Sequence, residues 1–214
     1  MTKHIKSPRL RFMEEVFNSV SHAIGLGLSI AGLVLLIVFA VIDGNVWKIV
    51  SFTIFGSSLV ILYASSMLYH STKNRIKYIF NKMDHAAIYI LIAGTYTPFM
   101  LVTLRGGWGW SIFGVIWALA IAGVIMKFWF FNPKYRTISA LLYLFMGWLV
   151  IIAIKPLIDS LDAGGLYFLM AGGLCYSFGI VFYLVKRIPF GHGIWHLFVI
   201  GGSICHFFSV LLYV

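Results

Sequence analysis

SVSHAIGLGLSIAGLVLLIVFAVI, residues 19–42, runs for 24 positions without Asp, Glu, Lys or Arg. At 1.5 Å rise per residue, about 20 apolar residues cross the ~30 Å hydrocarbon core of a bilayer. This stretch, Ser19–Ile42, is long enough to do so. Reading outward, six more stretches of the same character follow: Ile49–His70, Asp84–Leu104, Trp108–Phe128, Thr137–Ile154, Leu166–Val185 and His192–Val214. Seven such spans use roughly 140 residues, leaving only short termini and connections in a chain of 214. The sequence predicts an all-α integral membrane protein: one seven-transmembrane-helix bundle over residues 1–214, with 1–18 as a preceding segment.

Composition excludes the main alternatives. The chain is 61% hydrophobic and 10% charged, with a mean hydropathy of +0.98, whereas soluble domains carry about 45–50% apolar and about 25% charged residues. A soluble enzyme or a disordered chain cannot be built from it. The apolar runs are continuous rather than alternating, which disfavours a β-barrel. A net charge of +10 does not signal nucleic acid, because the basic residues sit in short connections where membrane topology places them. Cys175 and Cys205 lie inside apolar spans and read as small packing residues rather than a disulfide. The first twenty residues lack the apolar core of a cleavable signal, so the N-terminus is expected to be retained.

The basic residues also orient the bundle. The N-terminal segment holds Lys3, Lys6, Arg9 and Arg11, and the second connection Lys73, Arg75, Lys77 and Lys82. The fourth holds Lys127, Lys134 and Arg136, and the sixth Lys186 and Arg187. The other side holds only Lys48, Arg105 and Lys155. Thirteen against three puts the N-terminus in the cytoplasm and the C-terminus outside, in a multi-pass protein of the cell membrane.

Ionisable groups at membrane depth are expensive and mark function by default. Here they gather at one end of the spans: Glu15, Asn18 and His22 at the first, His70 ending the second, Asp84 and His85 opening the third, His192 and His196 opening the seventh. His192 and His196 are four apart and share a helical face. With His70 they form the three-ligand set of a catalytic zinc site, the fourth position open to water. Asp84 is the nearest carboxylate to orient that water or take its proton, and Ser66, one turn from His70, can hydrogen-bond water or a substrate carbonyl. The same histidines could instead bond neighbouring helices or reach the interface. Glu15, Asn18 and His22 also share a face, either as the capped start of a helix or as a polar cluster closing the site. His85 points about 100° from Asp84, and His206 lies about 15 Å beyond His196, so neither is expected in the site. Pro98 is expected to kink the third helix, shaping a cavity or only bending the bundle.

Glu15-x2-Asn18-x3-His22, Ser66-x3-His70, Asp84 followed by Gly94-Thr95-Tyr96-Thr97-Pro98-Phe99, and His192-x3-His196, in this order, resemble the hemolysin III family. That family is the bacterial branch of the progestin and adipoQ receptors, and the likeness covers residue 12 to the C-terminus. The resemblance implies a seven-helix bundle with an intracellular N-terminus, zinc held by His70, His192 and His196, Asp84 reaching the metal through water, and Ser66 lining the site. The superfamily includes alkaline ceramidases, which are zinc amidases acting on lipids.

Three functions follow as expectations. The first is a zinc-dependent hydrolase of a lipid amide or ester, with membrane lipids as its partners. The second is a lipid-state or membrane-homeostasis sensor with structural zinc. The third is a cytolytic protein, which the absence of an export signal and of a water-soluble surface disfavours. Zinc is preferred to iron or manganese on ligand type.

Overall fold

The structure, a computed structural model, describes residues 7–130, 132, 135–185 and 187–214. Lys3, His4, Lys6, Lys134 and Lys186 lie outside the described residues. The described residues form helices α1 (Pro8–Asp43), α2 (Val46–Ser71), α3 (Asn74–Pro98), α4 (Gly107–Trp129), α5 (Arg136–Trp148), α6 (Ile154–Ser160), α7 (Ala163–Leu184) and α8 (Gly191–Tyr213). A π-helical turn, Phe99–Thr103, extends α3, and a 3-10 turn, Leu149–Ala153, joins α5 to α6. Counted as spans these make seven membrane-crossing helices, with α5 and α6 together as the fifth, Arg136–Ser160.

Three boundaries differ from the sequence reading. The first helix begins at Pro8, not near Ser19, because Ser7 is its cap: Ser7 Oγ accepts the Leu10 amide at 3.2 Å and Pro8 fills the first turn. Glu15 is therefore two turns inside the helix, and the capping role considered for it is excluded. The third helix begins at Asn74 rather than Asp84, so Asp84 projects from the body of a helix and not from its start. The fifth span also runs past Ile154 to Ser160. The α1–α2 connection is a tight turn. Gly44 takes φ 70°, and Asn45 Oδ1 receives the Trp47 amide at 2.9 Å.

α3 is the central helix: 72% of its apolar window is buried, against 28% for α1 and α4. Its neighbours approach closely through glycine. A Cβ at Gly94 would collide with Ser58 of α2, and one at Gly123 of α4 would meet the Tyr89 ring at 2.5 Å. Small residues at helix contacts are the usual means of close packing in lipid. Outward faces are apolar, as with Ile24, Leu28, Val38 and Phe39 on α1.

Pro98 does shape the backbone. It lacks an amide proton, and the helix beyond it loosens into the π turn, where the Leu104 amide bonds Phe99 O at 2.8 Å. Irregular backbone in a membrane must be satisfied by protein. Tyr96 does this for the fifth span: its hydroxyl donates toward Met146 O (2.9 Å) and Gly147 O (2.8 Å) and accepts the Val150 amide (2.8 Å).

Candidate metal centre

His70 ends α2, and His192 and His196 stand one turn apart at the start of α8. One ring nitrogen from each lies within 4.8 Å of those of the other two, so the three can hold a metal ion. His70 and His196 are buried, at 7% and 0% exposure. His70 Nε2 and His192 Nε2 are 3.2 Å apart. Two nitrogens bound at 2.0–2.1 Å to a tetrahedral ion stand about 3.3 Å apart, so this pair already has the required spacing.

Hydrogen bonds around the rings decide which nitrogens face inward. Glu15 Oε2 lies 2.9 Å from His70 Nδ1 and 2.9 Å from Lys77 Nζ. A carboxylate accepts only, so His70 donates from Nδ1 and Nε2 is the nitrogen it turns toward His192. Ser21 Oγ donates to Asn18 O at 3.0 Å and lies 3.3 Å from His196 Nδ1. With the serine proton directed to Asn18 O, Ser21 Oγ is placed to accept from His196 Nδ1, and His196 Nε2 has no partner among the described residues. Carboxylate–histidine pairing of this kind orients metal ligands and raises their basicity. A cluster of convergent, buried lone pairs is what a cation needs and what a packed core avoids.

The other residues singled out from the sequence surround this centre. Asp84 is 2% exposed and Ser66 0%. Asp84 lies within electrostatic reach of His70 and faces Ser66, yet Asp84 Oδ2 and Ser66 Oγ complete no hydrogen bond. His22 stacks on His196 with ring centroids 3.6 Å apart and meets Tyr63 edge-on at 5.1 Å. Asn18 is buried beside Gly193, where any Cβ would collide with Phe17 and come within 3.0 Å of Asn18 Oδ1. Small size at residue 193 thus lets α8 close onto α1. His206 is elsewhere, bonded through Nε2 to Leu169 O at 3.1 Å. His85 is not in the cluster either, and its carbonyl accepts from Tyr143.

The sequence reading missed Ser21 as the partner of His196 and left the role of Glu15 open. Ser21 had a signal: it follows Asn18 by three positions, one turn along the same side of the helix. Glu14, one residue before Glu15, accepts the Phe190 amide at 3.0 Å and so ties α1 to the start of α8. Glu15→Gln is expected to lower metal affinity 10- to 100-fold, measured by competition with a chelator of known affinity while the fold persists.

A cavity of about 390 Å³ lies between α3, α5, α7 and α8. Its wall is apolar for most of its length, with Ile88, Phe99 and Leu144 among the lining residues, and it reaches Asp84 and His22 at the metal-centre end and His206 further along.

The family model described as Haemolysin-III related matches residues 10–207. The chain is 51% identical to the Hemolysin-3 homolog of Bacillus subtilis (strain 168) over 201 residues, covering 94% of both chains. It is 49% identical to Hemolysin-3 of Bacillus cereus over 202 residues, covering 94% of this chain and 92% of that one. It is 28% identical over 207 residues to the human Monocyte to macrophage differentiation factor, covering 94% and 84%, which supports the tie to the progestin and adipoQ receptors. With its seven spans and its matched length, the chain is a multi-pass membrane protein that belongs to the haemolysin-III related family.

Proposed function

We propose that the protein is a zinc-dependent hydrolase that cleaves a lipid amide or ester close to the cytoplasmic membrane surface. The observation that carries this reading is the junction of two environments. Three clustered histidines, two of them held through Nδ1 by Glu15 and Ser21, adjoin a buried carboxyl, Asp84, which in turn lines a largely apolar cavity. An acyl chain fits such a cavity, and its polar end would then stand at Asp84.

His70, His192 and His196 would hold the ion, which supplies Lewis-acid polarisation of a carbonyl and acidification of water. Imidazole ligands at tetrahedral spacing favour zinc. Glu15 keeps His70 in the liganding tautomer, and Ser21 does the same for His196. Asp84 takes the proton from the attacking water and returns it to the leaving amine or alcohol. Ser66, whose hydroxyl faces Asp84, steadies that carboxyl or the substrate carbonyl. The apolar wall keeps bulk water from the reacting bond.

Chelator treatment of the purified protein in lipid nanodiscs is expected to abolish release of free fatty acid or amine from a broad lipid panel. Added zinc is expected to restore it. Undiminished turnover in metal-free protein would end the reading.

A further inference from the structure

A second cavity, of about 210 Å³, adjoins the metal centre at His192. Among the described residues it shares no wall residue with the apolar cavity. Trp195 lies between them: it lines the apolar side and packs against Tyr183 (4.7 Å) and His192 (5.1 Å), both on the wall of the second cavity. The second cavity is polar. Arg136, Asn18, Tyr183, Glu14 and the first turn of α8, Gly191 to Gly193, are among the residues that line it.

Arg136 is the feature that needs explaining. Its guanidinium lies 4.3 Å over the Tyr183 ring, and its Nε is buried with no hydrogen-bond partner among the described residues. Among the described residues no carboxylate forms an ion pair with it. Arg136 as a whole is half-buried, and a guanidinium at the end of a membrane span gains from a counter-charge. Two further features of the same cavity want an anion or a polar ligand. α8, 23 residues long, starts here; its Phe190 amide is taken by Glu14 and its Gly191 amide by Ile188 O, and the amides that follow in the first turn favour anionic oxygens. Asn18, only 5% exposed, has an unpartnered Oδ1, and its amide can turn to present NH2 instead. Glu14 is also on the wall, but its carboxylate is engaged by the Phe190 amide.

We propose that this polar cavity is a phosphate-binding site, with Arg136 as its fork, the α8 N-terminus as its cradle and Asn18 as a third contact. Guanidinium binds phosphate oxygens through paired hydrogen bonds. The phosphate has two sources, the headgroup of a phospholipid at the level of the helix ends or a free phosphate in solution. The site does not depend on hydrolysis or on a bound metal.

The test uses purified protein and two probes, inorganic phosphate and nanodiscs containing phosphatidylglycerol, compared with chloride and with nanodiscs of an uncharged glycolipid. Modification by phenylglyoxal, mapped by mass spectrometry, is expected to slow at Arg136 but not at Arg105. Protection by inorganic phosphate identifies a free-phosphate site, and protection by phosphatidylglycerol alone identifies a headgroup site. Arg136→Gln is expected to weaken the phosphate-induced rise in thermal stability by roughly tenfold or more in half-saturating concentration, with Lys82→Gln unchanged. His196→Ala is expected to keep the response. The assignment is overturned if neither probe protects Arg136, if Arg136→Gln responds as wild type does, or if His196→Ala abolishes the response, which would put the phosphate on the metal. Because protection is read on the wild-type chain, the test survives a variant that fails to fold.

Discussion

His196→Ala is expected to empty the protein of tightly bound zinc and to reduce lipid turnover by at least about 100-fold. His196 is wholly buried, and its Nε2 has no partner among the described residues. Its other nitrogen is held by Ser21, so the ring cannot turn away to find one. Removing the ring leaves two ligands, His70 and His192, too few for a stable site. Elemental analysis and product release, each measured on a monodisperse preparation, check the two losses together. His206→Ala is the matched control on the same helix: it removes an equally buried imidazole outside the cluster and is expected to retain the metal. Loss of zinc in both variants would mean that the metal reports only on general folding.

Asp84→Asn is expected to retain most of the zinc while turnover falls about 10²- to 10⁴-fold, the range for loss of a general base. The substitution preserves shape and hydrogen-bonding capacity but cannot take up a proton. Asp84 is buried beside His70 without supplying one of the three clustered ligand atoms. This variant separates catalysis from a purely structural metal. If the ion only fastens α2 to α8, as a lipid-state sensor would require, asparagine should be nearly silent in every assay. Parallel measurement of bound metal and lipid products decides between the two.

Much of this arrangement could be read from the residues, because the membrane imposes a simple code. Uncharged length fixed seven crossings, and the four-residue offset of His192 and His196 placed both on one face. The boundaries failed where hydropathy and helicity part company. Arg9, Arg11, Glu14 and Glu15 make the start of α1 look unlike a span, yet Ser7 and Pro8 start the helix there. Similarly, Lys77 and Lys82 hid the first turns of α3, which form a helix regardless of polarity. Lys155 and Pro156 read as an ending, but Pro156 falls in the first turn of α6, where a missing amide proton costs nothing. What spacing could not convey was which helix faces which. The Glu15–His70 bond spans 55 positions and the Ser21–His196 contact 175. Both depend on the packing of α1 against α2 and α8, and no periodicity within one helix encodes it.

The central claim is that His70, His192 and His196 share one ion. Zinc-edge anomalous diffraction from crystals of the purified protein tests it directly. The expected result is a single strong peak within bonding distance of Nε2 of His70 and of His196 and of a ring nitrogen of His192. A fully occupied zinc peak elsewhere in the molecule, or a zinc-saturated crystal with none between these three rings, would contradict the account.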